Sequence, residues 1–312
     1  MILALAMLCG TFTVGLIGHR PLLWLAQRRV DPTVVLTAWI LSSCGLVISA
    51  VAAIAAVAVP SDDHVAADLL RLAGGCWSAL TSGAVPKWRE AVALLAVGCL
   101  VLVAVRIGLA TAHHIRSRVR RGRQTSQLRL LAAAGSRGEP VWIAGEQPMA
   151  VALTGRPGMI VMTEGLRRRL GPAALAATLE HERAHLRGHH HALLTFVEVI
   201  SAALPICPLW RGAPAATRDL IELAADAAAA RRCGPAAVSE ALRGLTDQPV
   251  PAIGLGMSGP LTTSRLDQLA MTPGNSNALW RAARCAATAV AVLALPAATG
   301  TVLVGAISCV VG

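Results

Sequence analysis

Four long apolar runs constrain this chain more than any other feature: Ile2–Gly18, Val34–Val59, Ala91–Ala112 and Ala286–Val311. A helix needs about 20 apolar residues to cross a bilayer, and only a helix or a closed barrel satisfies its backbone there. The first run is short for a span. It has no basic residue before it and no good small-residue cleavage site after it, so it reads as a retained span rather than a signal peptide. Arg106 lies near the end of the third run, where its long stem can snorkel to the interface. Pro296 is expected to kink the last run. Composition agrees: 55% of residues are hydrophobic and only 14% charged, against roughly 25% charged in soluble domains. The fold class is therefore mainly α, in a polytopic membrane protein whose first partner is the lipid bilayer.

Arginine placement sets the expected orientation. Arg20, Arg28 and Arg29 follow the first run, and Arg116, Arg118, Arg120, Arg121, Arg123 and Arg129 follow the third. Between them, Ser61–Glu90 carries Asp62, Asp63, Asp68 and Glu90 against Arg71, Lys87 and Arg89. Arg281 and Arg284 precede the last run. This predicts three spans in 1–112, a cytoplasmic domain in 113–280, and a final span in 281–312, with both termini outside. The net charge of +11 fits attraction to anionic headgroups. The arginine run lacks interleaved aromatics and any DNA-binding motif, so direct nucleic-acid binding is not expected. The eight cysteines show no paired spacing and read as small apolar packing residues.

The chemistry is concentrated in Leu179–His191, which reads LEHERAHLRGHHH. His181-Glu182-Arg183-Ala184-His185 is HExxH. Two imidazoles four residues apart lie about 40° apart on a helix, one turn up, so both reach one metal ion. The adjacent carboxylate enters the same cleft beside the metal. Two neutral imidazoles, an open position for water and a carboxylate to take its proton are what a zinc hydrolase needs. Gly171-Pro172 marks the start of this helix, which is predicted over Pro172–Phe196.

A catalytic zinc usually takes a third protein ligand, and the residues offer two. Glu222 lies in Ile221-Glu222-Leu223-Ala224-Ala225-Asp226, an ExxxD on a second helix. Thr217 is its expected N-cap, and Gly234-Pro235 ends it. Glu222 and Asp226 share a face, so one can bind zinc while the other orients a ligand histidine. The alternative is His191, because His181–His191 also satisfies HExxHxxGxxH, the metzincin pattern, with Gly188 in place. Metzincins break the helix at that glycine, whereas the sequence after Gly188 keeps a helix-compatible register. Metzincins are also typically extracytoplasmic. On an unbroken helix His191 would lie about 280° around and ~15 Å along from His181. Glu222 is favoured, and His191 stays open as the alternative. His189, His190 and His191 read as a polar, weakly metal-binding helix surface.

Around these helices a small α+β unit is expected. A helix at Leu128–Ala134 precedes strands at Val141–Ile143, Ala150–Leu153 and Met159–Met162, with a turn at Arg156-Pro157-Gly158. Helices follow at Glu164–Leu170, the HExxH segment and the Glu222 segment, the last two separated by a proline-rich crossing at Pro205–Pro214. Ala192–Trp210 is apolar but holds Glu198 and two prolines, and is not read as a span. Short helices are expected at Pro235–Leu242 and Thr263–Leu269. An edge strand of such a sheet can hold an extended peptide by main-chain hydrogen bonds, which makes protein or peptide the expected substrate class.

The order Ala150–Gly155, Ile160–Leu166, Leu179–His185 and Glu222–Asp226 resembles the BlaR/MecR-type membrane metalloproteases and the related HtpX-type proteases. Both are gluzincins, in which a glutamate from an ExxxD helix completes HExxH. The likeness covers about 113–280, and the three-plus-one order of spans is nearer the BlaR/MecR side. It implies one zinc ion held by His181, His185 and Glu222, with Glu182 as general base and Asp226 supporting a ligand histidine. It further implies a cytoplasmic repressor as substrate, and hence signal transduction; HtpX-like quality control and a vestigial, non-catalytic site are the alternatives. Sensors of this family carry an extracellular penicillin-binding domain after the last span. Here the sequence ends at Gly312 without an SxxK serine motif, so direct β-lactam sensing is not expected. The chain has no tyrosine, so any oxyanion-stabilising tyrosine must be replaced. Arg218, one turn before Glu222, is a weak candidate beside its plainer reading as a surface arginine.

Overall fold

The computed structural model describes residues 2–27, 30–58, 88–124, 139–155, 158–245, 265–267, 269, 280, 282–292, 294, 295 and 298. The expected helix at Leu128–Ala134, residues 61–87 of the acidic loop, Arg156-Pro157, Pro296 and the end of the last apolar run lie outside these residues.

The first apolar run forms helix α1 (Ile2–Ile17), followed by α2 (His19–Gln27) and α3 (Pro32–Ala58). A long α4 (Trp88–Gln124) comes next. Two helices are long and apolar enough to cross a membrane, Pro32–Ala52 and Val97–Arg120. α1 has 16 residues, short of the ~20 a span needs. The arginines expected in a loop after the third run instead begin on α4 itself, which continues through Arg116, Arg118 and Arg120. Along Val97–Arg120 no side chain is buried by protein, whereas α3 is half-buried by its neighbours.

A three-stranded sheet follows: β1 (Val141–Ile143), β2 (Ala150–Leu153) and β3 (Met159–Thr163), in the order β1-β3-β2. β3 is central, parallel to β1 through Val141↔Val161 and antiparallel to β2 through Val151↔Val161. The strands fall where the sequence places them, with Thr163 added. Thr163 also caps α5 (Glu164–Arg169), its hydroxyl accepting from the Leu166 amide, as N-cap threonines do.

Four helices follow, α6 (Pro172–Arg187), α7 (His190–Ala203), α8 (Pro208–Cys233) and α9 (Pro235–Leu245), and Ala282–Val292 at the start of the last apolar run is helical too. α6 opens as expected, with Gly171 extended as N-cap and Pro172 in the first turn. It does not run to Phe196. It stops at Arg187, because His189 adopts the left-handed conformation (φ 49°) that histidine tolerates better than most residues. α8 differs too. The expected crossing at Pro205–Pro214 shrinks to a short link, and the helix starts at Pro208 with Pro214 inside it. Pro208 suits a first turn, whereas Pro214 lies inside the helix and leaves the Trp210 carbonyl without its i→i−4 amide. Thr217 is therefore a buried mid-helix residue, not a cap. α8 ends at Gly234 (φ 86°), as read from the sequence.

Two main cores hold these parts. One packs Ile160 and Met162 of the sheet with Leu166, Ala174 and Ala177, and with Val238, Ala241 and Leu242 of α9. The other joins the N-terminal helices to α7 and α8: Val14, Val35, Trp39 and Leu46 pack with Val197, Leu209, Ala213, Leu220 and Ile221. The small residues on α6 and α8 let the two helices approach closely. Glu180 of α6 bridges Arg187 and Arg232 at 3.1 and 3.3 Å, clipping α6 to the end of α8. α4 is tied to α7 by Arg118, which donates to the His191 carbonyl and the Thr195 hydroxyl.

Candidate metal centre

α6 and α8 pack side by side, and their polar residues meet at one point between the two cores. α6 brings His181, Glu182 and His185, all buried. α8 brings Glu222 and, one turn on, Asp226. The Nε2 atoms of His181 and His185 lie 3.0 Å apart. Glu222 approaches His181 Nε2 at 3.4 Å and His185 Nε2 at 3.6 Å. Ligand atoms about 2.1 Å from a tetrahedral zinc are separated by roughly 3.3–3.4 Å. The three side chains can therefore hold one metal ion, and their two imidazoles and one carboxylate suit zinc. Glu222 Oε2, though buried, makes no hydrogen bond to protein, which leaves it available to a cation.

Asp226 Oδ1 lies 2.9 Å from His181 Nδ1, on the ring face away from Nε2. A carboxylate there fixes the imidazole so that Nε2 offers its lone pair. Burial by itself would lower the His181 pKa, but Asp226 and Glu222 outweigh it and raise it to about 9. Burial lowers His185, and the charge on His181 lowers it further, so His185 is neutral. Glu182 is pushed up to about 8, mainly by burial and also by Glu222; His181, the Ala152 backbone amide and Arg265 pull the other way. Its two buried oxygens have no well-formed hydrogen bond. A carboxylate so placed is ready to exchange a proton near neutral pH.

Two residues at this centre were not anticipated. Arg265 is buried and grips Asp226 with two hydrogen bonds, Nε to Oδ2 at 2.6 Å and a terminal nitrogen to Oδ1 at 2.7 Å. It also stands 3.4 Å from Glu222. Burial disfavours the charge on Asp226, yet Arg265 and then His181 hold its carboxyl below the usual range. A signal was present: a buried acid needs a cation beside it, and Arg265 is the only Lys or Arg between Arg243 and Arg281.

The second is His190. The reading of His189–His191 as a polar helix surface is corrected here, because the break at Gly188 and His189 turns His190 inward. Its Nδ1 lies 2.9 Å from His185 Nδ1. Burial and the neighbouring His181 charge push His190 down to about 4. The expectation of an unbroken helix was thus wrong. Even so, the break does not bring His191 into the converging group, which is His181, His185 and Glu222. Arg218 pairs with Glu198 at 3.1 Å on the exposed side of α8, as its plainer reading has it.

No curated protein and no solved structure matches this chain. Residues 118–217 match the family model for Peptidase family M48. The matched stretch takes in the sheet, α5, α6 with its HExxH, and α7, and stops before Glu222. Over 118–217 the chain is thus similar to peptidase family M48, whose members are in general zinc-dependent metallopeptidases.

Proposed function

We propose that this protein is a membrane-embedded zinc endopeptidase that cleaves a cytoplasmic or juxtamembrane protein, with a transcriptional repressor as the physiological substrate class. The observation that carries the reading is the convergence of His181, His185 and Glu222 around one point, with the buried Glu182 beside them. In this reading those three residues are the metal ligands, Glu182 is the general base and Asp226 sets the orientation of His181.

When bound, zinc would supply Lewis acidity toward a water and a peptide carbonyl. The protein does the rest. Glu182 takes a proton from the attacking water and returns it to the leaving amine. Asp226, braced by Arg265, keeps the His181 ring in register. β2 is an edge of the sheet and packs beside α6, so an extended peptide can add to it as a further strand. Arginine-rich flanks and the two long apolar helices favour a multi-pass protein in the cell membrane with this site facing the cytoplasm. The three-plus-one order of apolar runs favours the regulatory reading over quality control.

The test is Glu182→Gln in the full chain. The amide keeps the shape but cannot accept the proton, so bound zinc is retained and cleavage falls on the order of 10²–10⁴-fold. Proteomes of cells carrying either form then identify the substrate as the protein that accumulates intact in the variant. Near-normal turnover by the purified variant removes Glu182 as the base, and accumulation of many unrelated membrane proteins favours quality control.

A further inference from the structure

We propose that His190 is a positioning residue for the metal centre: its Nδ1 accepts the Nδ1–H of His185 and locks that ring with Nε2 toward the metal. The inference rests on the reading of His185 as a ligand. His185 turns Nε2 toward His181 and Glu222, at 3.0 and 3.6 Å. A neutral imidazole that gives its Nε2 lone pair to a metal carries its proton on Nδ1. That proton needs an acceptor, since the ring is buried. The group facing it at 2.9 Å is His190 Nδ1. His190 must then be the tautomer with its proton on Nε2. The two rings meet edge to face, with centroids 5.0 Å apart. His181 and His185 thus each face a partner across Nδ1, Asp226 at 2.9 Å for the first and His190 at 2.9 Å for the second.

The local backbone is built for this contact. His190 begins α7, and the left-handed His189 before it redirects the chain toward α6. Gly188 is required by the same arrangement: a Cβ there would lie 2.3 Å from His190 Nε2 and 2.6 Å from Cδ2. Gly188, His189 and His190 therefore act as one device, a glycine that leaves room, a residue that turns, and a ring that accepts.

Side-chain topology supplies a sharp test. The Oδ1 of asparagine is reached through the same number of bonds as histidine Nδ1, whereas glutamine places its oxygen one bond farther out. Phenylalanine keeps the ring and removes the acceptor. The zinc dissociation constant of the purified full chain is measured by chelator competition, with apo melting temperatures recorded to check folding. Loss of such a partner typically weakens metal binding 10–100-fold. His190→Phe and His190→Ala are expected to show that loss, His190→Asn to recover most of the affinity, and His190→Gln to recover less. Gly188→Ala, which leaves His190 in place but crowds its ring, is expected to weaken zinc in the same way; it decides the matter if the phenylalanine variant does not fold. Wild-type affinity in a folded His190→Phe, or no recovery in His190→Asn, overturns the proposal while leaving the zinc site standing. A wild-type chain that binds no zinc overturns both.

Discussion

Replacing Arg265 by methionine separates what this arginine does for the fold from what it does for the metal. Arg265 and Asp226 are each 2% exposed, and two short hydrogen bonds join them. Removing one partner of a buried pair costs about 3–5 kcal/mol, because the remaining charge is stranded. At roughly 2–4 °C per kcal/mol for a chain of this size, the apo protein should melt about 6–20 °C lower. With zinc the sign of a second effect matters. Arg265 is 3.4 Å from Glu222, and at an effective dielectric of 20 that attraction is about 5 kcal/mol before desolvation. Without it, Glu222 and Asp226 present uncompensated negative charge to an incoming cation. Zinc should therefore restore more stability to Arg265→Met than it adds to wild type. The assay is tryptophan fluorescence melting in detergent, with and without saturating zinc. An apo melting temperature within 2–3 °C of wild type, on the scale used above, would refute the buried-pair argument. An equal deficit in both states would refute the electrostatic one.

Three further outcomes are expected. Glu222→Ala should lose most bound zinc while His191→Ala keeps it, since only Glu222 reaches both imidazoles; metal content by mass spectrometry decides, and the reverse result removes Glu222 from the ligand set. Zinc affinity should rise with pH up to about 9, because the proton that Asp226 and Glu222 hold on His181 must leave first; affinity should fall about tenfold per unit below that, and a flat profile from pH 6.5 to 8.5 would show that no such proton is displaced. Single cysteines introduced near Arg183 and Arg243 should be shielded from impermeant reagents in intact cells, following the arginine asymmetry; labelling from outside would reverse the proposed orientation.

The centre was legible in the sequence to the extent that its chemistry depends on residue type and spacing. His181, Glu182 and His185 need only a helix, and Asp226 needs only the same helix face as Glu222. The strands were legible from short apolar segments bounded by turn residues. What was hidden depends on a single residue's backbone or on distant pairing. The apolar pattern after Gly188 suits a helix on either side of a break, and the break itself is one left-handed histidine. Pro208 and Pro214 resemble a loop, yet Pro208 opens a helix in its first turn and the packed helix carries Pro214 inside it. Arg265 lies far from Asp226 in sequence, and no local periodicity links them.

The core that α8 shares with α1 and α3 has a consequence for how this protein can be shortened. Leu220 and Ile221 stand directly before Glu222, buried in the same cluster as Trp39 and Leu46. A gene trimmed to the peptidase stretch would lay bare Val197, Leu209, Ala213, Leu220 and Ile221 beside the metal centre. Such a fragment would be sticky, and Glu222 would sit on an unsupported helix. A lineage could shed the N-terminal helices only by recolouring that face with polar residues or by recruiting another apolar partner to cover it. The N-terminal helices are thus part of the frame that holds the turn presenting Glu222.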